Sequence, residues 1–196
     1  MFRKLKIKQI PFDDLVVIPT IFEDNSCFAH SILAACRKDY GKLSIADKKS
    51  LARKFRDTTS TLLTEIDLKT DKTYYEGLFN GRIEDIGKEL PDYSLEQMVR
   101  ELQGDNFLDH HLQELISNAF NKDIYFLSAK TEDVFIDTKE MYFLCYKGRN
   151  SIIILHSIDH YEVVGTLKGT KINTVFQPED PLIQYLNERI LENIKK

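Results

Sequence analysis

The sequence predicts an α+β fold: an antiparallel-rich sheet flanked by helices. Three observations carry this. Helical signals dominate up to Phe120, strand signals cluster after it at short spacing, and no internal repeat or low-complexity tract interrupts either. With 196 residues and no Pro/Gly/Ser-rich linker, residues 1–196 are expected to form a single domain.

Leu15–Pro19 is apolar and β-branched, and should enter the core extended. A polar turn, Glu23-Asp24-Asn25-Ser26, leads into the small, apolar run Cys27–Cys36, which reads as a buried helix beginning near Cys27 and ending before Gly41. Ser44-Ile45-Ala46-Asp47 has capping-box spacing and opens a helix whose face is Leu51, Phe55, Leu62 and Ile66. Residues 67–93 are mixed, with Gly77, Gly81, Gly87 and Pro91 as punctuation. Ser94-Leu95-Glu96-Gln97 starts a helix through Leu102, Gly104-Asp105-Asn106 breaks it, and Leu108–Phe120 is helical again. Strands follow at Asp123–Leu127, Met141–Tyr146, Ser151–Leu155 and Tyr161–Leu167, and their close succession implies antiparallel pairing. A closing helix, about 180–195, presents Ile183, Leu186, Ile190 and Ile194 on one side.

Composition narrows the function. Basic residues number 27 and acidic residues 31, giving a net charge of −4 where phosphate binding needs a concentrated basic surface. Lysine outnumbers arginine 19 to 8, leaving few bidentate forks for base readout. No nucleic-acid partner is expected, and no membrane partner, because no apolar run reaches the roughly 18 residues of a span. Three cysteines without a CxxC pair suit a reducing compartment, and the N-terminus has no secretory signal, so a cytoplasmic location is expected. A protein delivered by a specialised secretion machine would look the same. Abundant Lys and Ile with only 8 glycines suggest an AT-rich genome, compatible with a bacterial effector or a large DNA virus.

The chemistry concentrates at Asp24–Cys27. A cysteine at the start of a helix lies near unpaired backbone N–H groups and the positive end of the dipole, both of which favour the thiolate. The same N–H groups, with those of the Asn25–Ser26 turn, can hold the oxyanion of a tetrahedral intermediate. A thiolate needs a base, and Ser157-Ile158-Asp159-His160-Tyr161-Glu162 supplies a histidine at the start of a strand. Residues i and i+2 of a strand share a face, so Glu162 stands beside His160, where its carboxylate can orient the ring.

These residues resemble the ovarian-tumour (OTU) family of cysteine deubiquitinases. That family's nucleophile motif, Asp-Gly-Asn-Cys-Leu-Phe, stands here as Asp24-Asn25-Ser26-Cys27-Phe28-Ala29, and its His-aromatic-Asn/Asp motif as His160-Tyr161-Glu162. Leu108–Leu115 leading into Ile124-Tyr125-Phe126 is similar to the family's amphipathic helix and following strand, so the likeness spans about residues 16–164. Asn25 replaces glycine but tolerates a positive φ; Ser26 replaces Asn; Glu162 is longer than Asn or Asp, which leaves room for a different third member. The resemblance implies a papain-like fold, no cofactor, and hydrolysis of isopeptide bonds after the C-terminal glycine of ubiquitin or polyubiquitin. It makes Cys27 the nucleophile, His160 the base, Glu162 its orienter, and Asp24, Asn25 and Ser26 the oxyanion loop, in a protein expected to be monomeric. Two alternatives remain open: a cysteine hydrolase acting on another ubiquitin-like modifier, and an inactive ubiquitin-binding domain.

Rival readings of the same residues are weaker. Cys36 and Cys145 lie in apolar runs and are expected in the core. His156 is the main rival base but lacks an acid at i+2. Cys27 with His30 and the adjacent His110-His111 lack the second close pair of a structural zinc site, so no metal is expected. Gly81–Lys88 and Gly165–Lys171 miss the P-loop spacing by one residue each, and Cys27 has no Cys-x5-Arg phosphate cradle.

Overall fold

The structure is a computed structural model and describes residues 2–20, 24–73, 95–105, 107–108, 110–135, 145, 147–158 and 160–194. Its helices among these are α1 (Cys27–Cys36), α2 (Ile45–Thr64), α3 (Leu95–Gln103), α4 (His110–Ala119) and α5 (Pro181–Ile194). Its strands are β1 (Arg3–Lys4), β2 (Leu15–Ile18), β3 (Ile66–Asp67), β4 (Lys72–Thr73), β5 (Asp123–Ser128), β6 (Asp133–Val134), β7 (Ser151–Ser157), β8 (His160–Lys168) and β9 (Lys171–Asn173). The α+β class and the helix-flanked, antiparallel-rich sheet are as the sequence predicts. No helix among the described residues is long and apolar enough to cross a membrane.

Seven strands form the main sheet in the order β1-β2-β8-β7-β5-β6, with β9 on β8, while β3 and β4 make a separate hairpin. The expectation of purely antiparallel late strands is corrected at one place: β5 and β7 run parallel, from Asp123↔Ser151 to Ser128↔His156. The reason lies at the first residue of β5. Asp123, 2% exposed, accepts from the backbone N–H of Lys147 (3.0 Å) and from Nε of Arg149 (2.7 Å). The returning chain is thereby fixed at the N-terminal end of β5, and β7 sets off in the same direction. The strand expected at Met141–Tyr146 lies outside the described residues except for Cys145, which is buried. Most of 67–93 and the cap at Ser94 also lie outside them.

Alternation along the central strands gives the sheet two apolar faces, as period-2 geometry requires. Ile124, Phe126, Ile152, Ile154 and Val163 pack against Phe28 and Ile32 of α1, Phe55 of α2 and Leu112 of α4. Tyr125, Leu127, Ile153, Leu155 and Val164 pack against Leu182, Leu186 and Ile190 of α5. Each such side chain contributes about 1.5–3 kcal/mol on burial, so the sheet is anchored on both of its faces. Ser44 caps α2 as its spacing foretells, accepting from Asp47 N–H at 3.1 Å. The helix ends at Thr64, however, and Ile66 is an exposed β3 residue rather than part of the helix face. Cys36 is likewise exposed, contrary to its expected place in the core.

Gly165 permits β9 to lie against β8. A Cβ there would stand 2.7 Å from both the Asn173 carbonyl oxygen and Ile172 Cγ2. Gly165→Ala should therefore destabilise the protein by about 1–3 kcal/mol through overpacking, read as a lower urea midpoint with unchanged slope.

Candidate active site

The loop before α1 is built by short polar side chains. Asn25 adopts φ +54°, the left-handed conformation its side chain tolerates. The Asp24 carboxylate accepts the Ser26 backbone N–H at 3.2 Å, closing an Asx turn. Ser26 is the N-cap, and its side chain is not spent on capping; it donates to the Asp24 carbonyl at 3.2 Å. The first free N–H groups of α1 are consequently left at the sulfur of Cys27. Sγ interacts with the N–H groups of Cys27 and Phe28 and accepts from the backbone N–H of Tyr161 in β8.

Cys27 is only 1% exposed. Burial is the largest influence on its thiol and pushes its pKa up; the three N–H groups pull it down, and the charge of Asp24 pushes it up again. The net direction is upward. The sequence reading, which lets the helix N-terminus favour the thiolate, is corrected: burial outweighs the N–H groups that reach the sulfur, and the balance favours the thiol.

His160 opens β8, paired with Ser157 across the β7–β8 hairpin. The Tyr161 N–H bond to Sγ brings Cys27 to the residue next to it. His160 Nε2 lies 3.5 Å from Oγ1 of Thr20, which itself donates to the Tyr161 carbonyl at 2.5 Å. Glu162 is buried two residues on, but its carboxylate is engaged by Arg3 of the edge strand β1. Nη1 of Arg3 donates to Oε1 at 2.8 Å and Nη2 to Oε2. The structure thus brings Cys27 and the start of β8 together, and binds Glu162 to a partner the sequence does not foretell. His156 packs its ring between Tyr161 and Phe135, centroids 4.9 Å away in each case.

Three further residues fix the loop, and motif reasoning misses all of them. His30 is fully buried; its Nε2 donates to the Asp24 carboxylate at 2.9 Å, and its Nδ1 accepts from the Tyr40 hydroxyl at 2.6 Å. Both ring nitrogens are spent on this chain, which links Asp24 to the turn after α1. Burial pushes the Tyr40 hydroxyl up, keeping it a donor, and pushes His30 down despite the opposing pull of Asp24. Arg56 of α2, 1% exposed, donates to the carbonyls of Leu102 (3.0 Å) and Glu101 (2.5 Å) and to Ser26 Oγ (3.2 Å). Its guanidinium ties the loop to the last turn of α3, where the carbonyl ends favour a cation. Its signal was present: Ala52, Arg56, Thr59 and Leu63 recur at helical spacing and are all buried.

No family model matches the chain, and no curated protein matches it. Solved structures do. An ovarian-tumour (OTU) domain in complex with ubiquitin is 18% identical, with 97% of this chain and 90% of that one covered and a TM-score of 0.50. The OTU domain of OTUD1 is 12% identical over 76% of this chain and 85% of that one, with a TM-score of 0.46. The Hazara virus OTU bound to ubiquitin is 13% identical over 79% and 82%, with a TM-score of 0.45. The chain has the fold of an OTU domain.

His30 gives a pH signature. Its pKa in the folded protein lies below the ordinary 6.5, so its stabilising contribution is complete above 6.5 and is lost as pH falls through the lowered value. An NMR titration should show His30 protonating below the ordinary range, with thermal stability declining over the same window. Arg56→Met should cost about 2–4 kcal/mol by leaving Ser26 and two carbonyls without their donor, measured by chemical denaturation.

Proposed function

We propose that the protein is a cysteine-type deubiquitinase, hydrolysing the isopeptide bond after the C-terminal glycine of ubiquitin. The observation that carries this reading is Cys27 at the first residue of α1, its sulfur held against the Tyr161 N–H beside His160. The fold supports it, since an OTU domain of this fold has been solved in complex with ubiquitin. Free thiols at all three cysteines suit a reducing, cytoplasmic setting.

The steps follow from the groups present. His160 takes the Cys27 proton as Sγ bonds to the carbonyl carbon of the terminal glycine, and the carbonyl oxygen becomes an oxyanion facing the N–H groups of the Asp24–Cys27 loop. The C–N bond then breaks, and the departing lysine amine receives the proton from His160. Water attacks the thioester, giving one proton to His160. The S–C bond breaks, the His160 proton returns to sulfur, and the product leaves as a carboxylic acid that releases water's second proton to solvent as it becomes the carboxylate. Because burial keeps Cys27 a thiol at rest, His160 acts as a general base within the step rather than as the partner of a standing thiolate. No part of this requires a cofactor or metal.

The burial of Cys27 also favours a second reading, an OTU-like domain that binds ubiquitin without turning it over. One experiment separates the two. Ubiquitin carrying a C-terminal thiol-reactive warhead should add one ubiquitin mass to the wild type and none to Cys27→Ala, with both proteins folded. Tight binding of unmodified ubiquitin with no adduct would establish the binder instead. A small-electrophile adduct at Cys27 without a ubiquitin adduct would keep a cysteine enzyme and point to another modifier.

A further inference from the structure

The histidine of a thiol enzyme works only if the nitrogen facing the sulfur is the one without a proton, and something must set that choice. The sequence offers Glu162 for the task. In the structure both carboxylate oxygens of Glu162 accept from the Arg3 guanidinium, and Thr20 Oγ1 stands 3.5 Å from the ring nitrogen Nε2.

A threonine hydroxyl has one donor hydrogen and two lone pairs. That hydrogen is committed: Oγ1 donates to the Tyr161 carbonyl at 2.5 Å. Toward Nε2 of His160, 3.5 Å away, the same oxygen can therefore act only as an acceptor. The contact is long, as catalytic hydrogen bonds commonly are before substrate closes a site. We propose that Thr20 is the positioning residue for His160: its oxygen accepts the Nε2–H, fixing the tautomer in which Nδ1 is the nitrogen that takes the Cys27 proton.

Tyr161 makes the arrangement self-consistent. Its N–H is given to Cys27 Sγ and its carbonyl receives the Thr20 hydroxyl, so nucleophile and positioning residue are registered on the backbone of the residue that follows His160. Thr20 lies two residues beyond the end of β2, which pairs with β8 from Leu15↔Thr166 to Ile18↔Val163. The strand pairing delivers the hydroxyl to the ring without any long flexible side chain. Glu162 along the same strand has its own partner, both of its oxygens accepting from the Arg3 fork.

This inference rests on the thiol-enzyme reading, and its test does not need ubiquitin. Imidazole ¹⁵N NMR of the wild type should show neutral His160 carrying its proton on Nε2. Alkylation of Cys27 by iodoacetamide, resolved from Cys36 and Cys145 by peptide mass spectrometry, should depend on His160 and fall about tenfold or more in Thr20→Val. The same variant should show His160 as a mixture of tautomers, and Thr20→Ser should restore both readouts. Loss of the hydrogen bond to the Tyr161 carbonyl alone would lower the melting temperature without moving the proton. Should Thr20→Val fail to fold, the wild-type tautomer and the Thr20→Ser rates still decide. A proton on Nδ1 in the wild type overturns the inference, as does a Thr20→Val protein with unchanged tautomer and alkylation. Loss of the tautomer preference in Glu162→Gln, with Thr20→Val unaffected, would assign the role to Glu162. Alkylation of Cys27 that is indifferent to His160→Ala would instead sink the thiol-enzyme reading, leaving the tautomer measurement to judge Thr20 by itself.

Discussion

The backbone of Tyr161 is held from two sides: its N–H is given to the Cys27 sulfur, and its carbonyl takes the Thr20 hydroxyl. Its ring faces the other way, packed edge-on against Phe28 and Phe126, with its hydroxyl accepting from Gln113. One residue thus couples the start of α1, the end of β2, the strand β8 and the helix α4. The sheet makes this coupling stiff, because β8 is hydrogen-bonded to β2 on one edge and β7 on the other. A shift of β8 by one residue would exchange Tyr161 for His160 against the core and disconnect the site.

The second structural demand is the loop before α1, which holds a left-handed Asn25 and a buried polar turn at the edge of the apolar core. Such a turn needs partners for every polar group it buries. His30 and Tyr40 provide them from one side and Arg56 from the other. This explains why α1 and α2 carry, on their inner faces, a histidine and an arginine that water does not reach. Together they hold the loop and the N–H groups at the start of α1 in one arrangement.

The thiol at the centre of this arrangement is subject to opposing influences. Helix N–H groups and the Tyr161 N–H favour the anion, while burial and Asp24 oppose it, and burial dominates. A neutral resting thiol is less exposed to adventitious oxidation and alkylation than a standing thiolate.

Much of the fold was legible in the sequence because it rests on local rules. The 3.6-residue stripe of α5 through Ile183, Leu186 and Ile190 (Ile194, expected to extend it, is exposed), the Ser44 cap of α2 and the β-branched runs of β7 and β8 announce themselves in the order of residues. Cys27 at a helix start, the positive-φ tolerance of Asn25 and the His160-Tyr161-Glu162 strand were equally visible, being properties of neighbours in the chain. What tertiary structure alone decided are relations across long separations. Arg3 reaches Glu162 and Thr20 reaches His160 only because β2 lies between β1 and β8, and Arg56 meets Ser26 only because α2 crosses behind the loop. The parallel course of β5 and β7 depends on where Asp123 anchors the returning chain. The state of the thiol depends on how much water the assembled core excludes, a quantity that no stretch of sequence contains, since it is the sum of everything packed around it.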